Sequence, residues 1–159
     1  MRRILTVVGA LTWFLIATAP PSFAAAEPTP AERMKKAALG ELREFRAGVD
    51  QLVADAALSR AQVRSLERSF DAMRDAINAN KSNLFARALL RLLATISRLE
   101  DEGALPSGAS VSVLDLAADL TTNLMEIGFM PPDLGDGVDE IIRRGLAAGG
   151  AIIPGAAGV

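Results

Sequence analysis

The chain has no cysteine, no histidine and no tyrosine, and its one tryptophan, Trp13, lies near the amino terminus. Without cysteine no disulfide framework is possible, so stability has to come from packing alone. A lipid anchor attached at a cleavage-site cysteine is excluded on the same ground. Without histidine the usual general base, the commonest transition-metal ligand and the one side chain that titrates unperturbed near neutrality are all missing. Aromatic residues make up only 4% of the chain, whereas hydrophobic residues make up 50%. A core must therefore be assembled from Leu, Ile, Val, Met and Ala with a few Phe, which suits packed helices better than sheets. Neither sign of charge dominates. Seventeen basic residues against 19 acidic ones leave a net charge of −2, with no general pull toward nucleic acid or anionic lipid.

What is present begins with an export signal. Arg2 and Arg3 give a positive start, and Ile4 to Ala19 is an uncharged, mostly apolar run. Pro20 and Pro21 break it, and Ser22-Phe23-Ala24 places small residues three and one before a cut at Ala24/Ala25. The Ala24-Ala25-Ala26 triplet offers an alternative cut two residues later. An uncleaved anchor is the competing reading, but the run is shorter than the about 18 residues of a spanning helix. Cleavage removes Arg2 and Arg3, moves the net charge from −2 to −4, and leaves roughly 135 residues, the size of one small domain. The expected location is secreted or periplasmic.

The remainder reads as helices. After a linker at 25–30, Thr29-Pro30-Ala31-Glu32 is a capping box with proline at the first helical position. A first helix is expected to about Ala57, weakened near Gly40, with Leu42, Phe45, Val49, Leu52 and Ala56 on one stripe. Ser59-Arg60-Ala61-Gln62 is a second capping box and opens a helix to about Asn78, with Val63, Leu66, Phe70, Met73 and Ile77 facing in. Ser82 is the expected cap of a third helix to about Asp101, carrying Phe85, Leu89, Leu92, Ile96 and Leu99. Leu84, Leu90 and Leu93 widen that stripe, so this helix should be the most buried. A fourth runs from Ala109 or Ser110 to Ile127, with Leu114, Ala117, Thr121, Leu124 and Met125 inward. Pro131-Pro132 ends it. Asp133 or Asp136 is the expected cap of a short last helix to about Ala147.

Asp55-Ala56-Ala57-Leu58-Ser59 is echoed by Glu102-Gly103-Ala104-Leu105-Pro106, each at a helix–turn–helix junction. The expected architecture is all-α: an antiparallel four-helix bundle from two helical hairpins, with a short extra C-terminal helix. The domain division is signal peptide 1–24, linker 25–30, helical bundle 31–130, and a short helix with a Gly-rich apolar tail at 131–159.

Val49 to about Met125 resembles a FIMAH-type domain, a small helical module of exported bacterial proteins. The likeness is carried by LVADAALSRAQVRSLERSFDAMRDAINANKSNLFARALLRLLATISRLEDEGALP, residues 52–106, and by LDLAADL, residues 114–120. It departs from the family pattern at Ala57, where Gly is expected, at Asn80-Lys81, where Gly-Asn is expected, and at Ala94, where a polar residue is expected. The resemblance implies an accessory, non-catalytic extracellular module for matrix or surface association. It carries over no site residues.

Five features are candidate sites. Glu100-Asp101-Glu102, with Asp115 and Asp119, is a carboxylate cluster for acid–base work or Ca²⁺, but it lacks a companion nucleophile and is expected to be a solvated turn. Asp133, Asp136, Gly137, Asp139 and Glu140 are rich in oxygen ligands without EF-hand spacing, and are expected to favour a helix start instead. Arg87, Arg91 and Arg98, and separately Arg60, Arg64 and Arg68, form helix-face stripes that phosphate or acidic glycan would suit. Glu67, Asp71 and Asp75 interleave with the second stripe, and no aromatics stand by to stack on bases, so solvated, locally paired faces are expected. Ser59, Ser65, Ser69, Ser82 and Ser97 have no histidine to activate them, and only Lys35, Lys36 or Lys81 to form a dyad. Gly145 to Val159 carries no charge and contains five Gly and one Pro. Its Gly145-Leu146-Ala147-Ala148-Gly149 is a small-xxx-small pattern, expected to fold onto the bundle, with partner or membrane contact as the alternative.

The resulting expectation is a non-catalytic exported module that contacts a protein or the cell envelope. The alternative is a membrane-active protein using residues 145–159 for weak bilayer contact. No catalytic, metal or cofactor-binding residue is assigned, no cofactor or nucleic acid is expected, and a homodimer is permitted.

Overall fold

The computed structural model describes residues 27–151. The expected export signal with its cleavage sites, and residues 152–159 of the tail, lie outside the described residues. All regular structure among the described residues is helical, with no strand: α1 (Pro30–Val53), α2 (Arg60–Asn78), α3 (Ser82–Asp101), α4 (Ala109–Glu126) and α5 (Pro132–Ala147). The all-α expectation holds.

Both capping boxes form. Thr29 Oγ1 accepts from the Glu32 N–H at 3.2 Å, and Glu32 Oε2 accepts from the Thr29 N–H at 2.7 Å. Ser59 Oγ accepts from the Gln62 N–H at 3.3 Å, and Gln62 Oε1 accepts from the Ser59 N–H at 2.8 Å. α1 runs unbroken through Gly40. One glycine costs a helix about 1 kcal/mol, less than is gained by burying Ala38, Leu42, Phe45 and Val49 along the stripe. α1 stops at Val53, short of the expected Ala57, where a turn bond from the Ala56 N–H to the Val53 carbonyl (3.0 Å) leads the chain toward Ser59.

Two expected caps are not used. Ser82 is already the first helical residue of α3, Lys81 holds the cap position without a side-chain cap bond, and Asn83 Oδ1 accepts from the Leu84 N–H at 2.9 Å. At α5 the cap is Pro131, and Pro132 opens the helix. Proline's fixed φ suits the first helical position, so the helix starts before either aspartate. Asp133 falls in the first turn and Asp136 in the interior.

Helices α2 to α5 close in the same way. A residue of positive φ follows each cap: Asn80, Gly103, Gly128 and Gly149. The next N–H then reaches back to a carbonyl in the last turn: Lys81 to Ala76, Ala104 to Leu99, Phe129 to Leu124 and Gly150 to Gly145, at 2.8–3.0 Å. This Schellman closure satisfies end carbonyls and reverses the chain within a few residues. That is how the five described helices follow one another with such short connections.

α1 packs on α2 and α4, and α3 packs on α2, α4 and α5, with the α2–α3 and α4–α5 pairs the most extensive. α1 does not reach α3, and α2 does not reach α4, so the contacts of the first four helices run round a ring. Phe45 and Phe70 join α1 to α2 with ring centroids 6.0 Å apart, and Phe85 meets Phe129 edge-on at 5.7 Å. Asn123 Nδ2 of α4 donates to Glu41 Oε2 of α1 at 2.7 Å. The expected inward residues of α3 are buried, as are Val138 and Ile142 of α5, which share the core. Val63 and Leu84 depart from their stripes at 39% and 43% exposure. Each lies in the first turn of its helix.

Candidate interaction groove

α2 and α3 are joined by Ala79–Lys81 alone. On the outer side of this pair is an open groove of about 450 Å³, within the usual size range of binding clefts. Its floor is alanine: Ala72, Ala76 and Ala79 from the α2 side and Ala88 from α3. The first two are one helical turn apart, and such short side chains leave a trench where longer ones would close it. Leu84, 43% exposed, stands at the edge. α2 touches only α1 and α3, so no described element lies over this side of it.

The rim is charged. Lys81, Arg87 and Arg91 stand on it with one carboxylate, Asp75. Asp75 is already matched by Arg74 at 3.7 Å, and Arg74 also holds Asp71 at 3.0 Å. These pairs are half-exposed, so each is worth about 0–1 kcal/mol. The groove is thus locally cationic on a chain of net charge −2.

Of the two arginine stripes, the α3 stripe is split. Arg87 and Arg91 reach the groove, while Arg98 pairs with Glu102 at 3.7 Å. Arg60, Arg64 and Arg68 are exposed, and the interleaved Asp71 and Asp75 pair with Arg74 rather than with them.

The first acidic cluster is not a solvated turn throughout. Asp101, Glu102, Asp115 and Asp119 are exposed, but Glu100 is half-buried and acts as a cap at long range. Its Oε1 accepts from the Gly108 N–H at 2.6 Å and its Oε2 from the Ser110 N–H at 2.7 Å. Gly108, in the left-handed region, has no side chain to cap α4, and Glu100 supplies the missing acceptor across the turn. Burial alone would raise the Glu100 pKa. Hydrogen bonds from the Ser110 side chain, the Ser110 N–H and the Gly108 N–H outweigh it and hold the carboxyl below its ordinary value.

The second cluster is helical. Glu140 is held by Arg143 at 2.9 Å and Arg144 at 2.8 Å. Asp139 is half-buried, and its Oδ1 has no hydrogen-bond partner among the described residues. Burial raises its pKa, Asp136 adds to the rise, and Arg143 opposes it. Among the described residues no three Asp or Glu come together as metal ligands.

Three of the five serines are engaged or enclosed, and Ser65 and Ser82 are half-buried. Ser59 caps α2, Ser69 Oγ donates to the Ser65 carbonyl at 3.3 Å, and Ser97 is buried. Lys35 donates to the Asn78 carbonyl at 3.4 Å, and Lys36 and Lys81 are exposed. In the described part of the tail, Gly145 is buried at the end of α5 and Gly150 lies against Ser110 and Val111 of α4. No described helix is long and apolar enough to cross a membrane.

The groove was missed at the level of sequence because alanine is also the best helix former, so Ala72, Ala76 and Ala88 read as filler. The available signal was Ala72, Ala76 and Ala79 at steps of four and three residues. Beyond this geometry, no protein-family model, curated protein or solved structure matches the chain.

Proposed function

We propose that this protein is a non-catalytic, exported helical interaction module, secreted or periplasmic, that docks a protein or cell-envelope component in the α2–α3 groove. The observation that carries the reading is that alanine-floored groove with its cationic rim, over which no described element lies. Export rests on the charged, apolar and small-residue order of 1–24. The FIMAH-like run at 52–106 spans α2, α3 and their flanking turns, so the groove falls wholly within the stretch that carries the resemblance. The same proposal takes the first four helices as an antiparallel bundle of two hairpins with α5 added. The ring of helix contacts and the short connections support that arrangement. The non-catalytic reading is supported by the absence of histidine to activate a serine, with Ser59 engaged as a cap and Ser97 buried.

The test is affinity capture from envelope extract with three forms of the protein: unaltered, Ala72→Phe in the groove, and Asp119→Lys on α4, which does not touch α2. A component held by the unaltered and Asp119→Lys forms and lost by Ala72→Phe is the expected result. Retention by all three removes the groove from the account. Co-sedimentation with liposomes that depends on residues 145–159 would replace the reading with the membrane-active one.

A further inference from the structure

α2 begins against its own electrostatics. Its first turn holds Arg60 and no acidic residue, whereas α1 and α5 place Glu32 and Asp133 there. A cation beside the free N–H groups of a helix start opposes the helix dipole. Arg64 follows one turn on, and Arg68 continues the row. Four-residue steps set the three along one side of α2, about 6 Å apart in rise and about 12 Å from end to end. All three are exposed. None of their guanidinium groups forms an ion pair or a hydrogen bond among the described residues, and the nearby Asp71 and Asp75 are held by Arg74. Between residues 60 and 68 the only carboxylate is Glu67, so the row is three cations against one anion. Charges set against the dipole and left without partners are not explained by folding, and such departures gather at functional surfaces.

The row's chemistry selects its ligand. Planar guanidinium forks take carboxylates two bonds at a time. Val63, the exposed large apolar residue of α2, is turned about 100° away from Arg64, so a protein partner or a bilayer finds no apolar anchor among the arginines. Phe45 and Phe70 of the α1–α2 pair are buried and offer no ring for a base to stack on. Duplex nucleic acid carries a charge about every 1.7 Å, far denser than this row. We propose that Arg60, Arg64 and Arg68 form a binding strip for an acidic polysaccharide, a linear chain of uronate rings whose carboxylates meet successive guanidinium groups. The strip involves none of the residues that line the α2–α3 groove, so it stands apart from the reading of that groove as a docking surface.

The experiment is calorimetric titration of the protein as isolated with polygalacturonate, with dextran as the uncharged polymer. Polygalacturonate should bind, dextran should not, and the binding should weaken steeply as salt is raised. Arg60→Glu and Arg64→Glu should each bind at least about fivefold more weakly. Arg43→Glu, at an exposed arginine of α1, should stay within about twofold of the unaltered protein. Replacing all three strip arginines by lysine should keep the salt dependence and weaken binding about threefold, because an ammonium makes no bidentate fork. Arg60→Glu puts an acid where the dipole favours one, so it should unfold at a temperature no lower than the unaltered protein, which separates lost binding from lost folding. Absence of binding to polygalacturonate, equal binding of dextran, or full affinity in both reversals overturns the proposal. So does a loss in Arg43→Glu as large as that in Arg64→Glu, or tighter binding of polyphosphate or anionic vesicles than of polygalacturonate. The groove is judged separately, by the capture experiment with Ala72→Phe, and none of these results decides it.

Discussion

Glu100 is a small lever with a measurable consequence. Its two oxygens close the start of α4 through bonds of 2.6 and 2.7 Å to the Gly108 and Ser110 N–H groups. Glu100→Gln keeps the shape but leaves one acceptor oxygen for the two backbone donors and the Ser110 hydroxyl, and turns an amide N–H₂ toward one of the backbone N–H groups. A hydrogen bond to a charged group is worth about 1.5–3 kcal/mol, and the partial exposure of Glu100 places the loss at the lower end, about 1.5 kcal/mol. For a domain of this size that lowers Tm by about 5 °C. The pH dependence has a definite sign. The folded pKa of Glu100 is lowered, so its contribution is present above the ordinary value of 4.5 and is lost as pH falls through the folded value. The assay is urea unfolding of both forms from neutral pH down through the carboxylate range. The gap between them should be full near pH 7 and shrink in acid. A gap below about 0.3 kcal/mol at pH 7, or one independent of pH, would refute the long-range cap; differences that small are ordinary for surface substitutions.

Three further outcomes follow from the geometry. A Cβ on Gly135 would overlap Sδ and Cγ of Met125, so Gly135→Ala should destabilise by about 1 kcal/mol net, overpacking outweighing the gain in helix propensity. Adding Met125→Ala should remove that penalty, and a double-mutant cycle by thermal unfolding checks for coupling above about 0.5 kcal/mol. Asp139→Asn should stabilise by up to about 1 kcal/mol at pH 7, because the charged form is disfavoured in the fold by burial and by Asp136. The gain should vanish below the ordinary Asp value of 3.8, where the carboxyl is protonated in both states. Asn80, at φ 53°, closes α2 in the left-handed region. Asn80→Ala should cost about 1 kcal/mol and Asn80→Gly almost nothing, read from urea midpoints.

The helices were legible where the signal is local. Thr29 with Glu32 and Ser59 with Gln62 announce two helix starts within four residues each, and both form. The stripes Leu42-Phe45-Val49 and Leu89-Leu92-Ile96-Leu99 set the inward faces, because helical period and burial are the same fact seen twice. Contacts between distant residues were not legible. Glu100 looked like a solvated acid because its partners, Gly108 and Ser110, lie across a turn whose path the sequence does not state. α5 starts before the expected Asp133 or Asp136 cap because Pro131-Pro132 is more than a stop: the second proline also begins the next helix. The groove was hidden for a third reason: it is made of what is missing, side-chain volume at Ala72, Ala76 and Ala88, and a gap has no sequence motif.

The most direct test of the central claim is site-specific photo-crosslinking in living cells, with a photoreactive residue placed at Leu84 beside the groove and, as a control, at Asp119 on α4. A discrete adduct of one size from position 84 and none from position 119 is the predicted result. Equal adducts from both positions, or an adduct from position 119 alone, would contradict the assignment of the α2–α3 groove as the working surface of this protein.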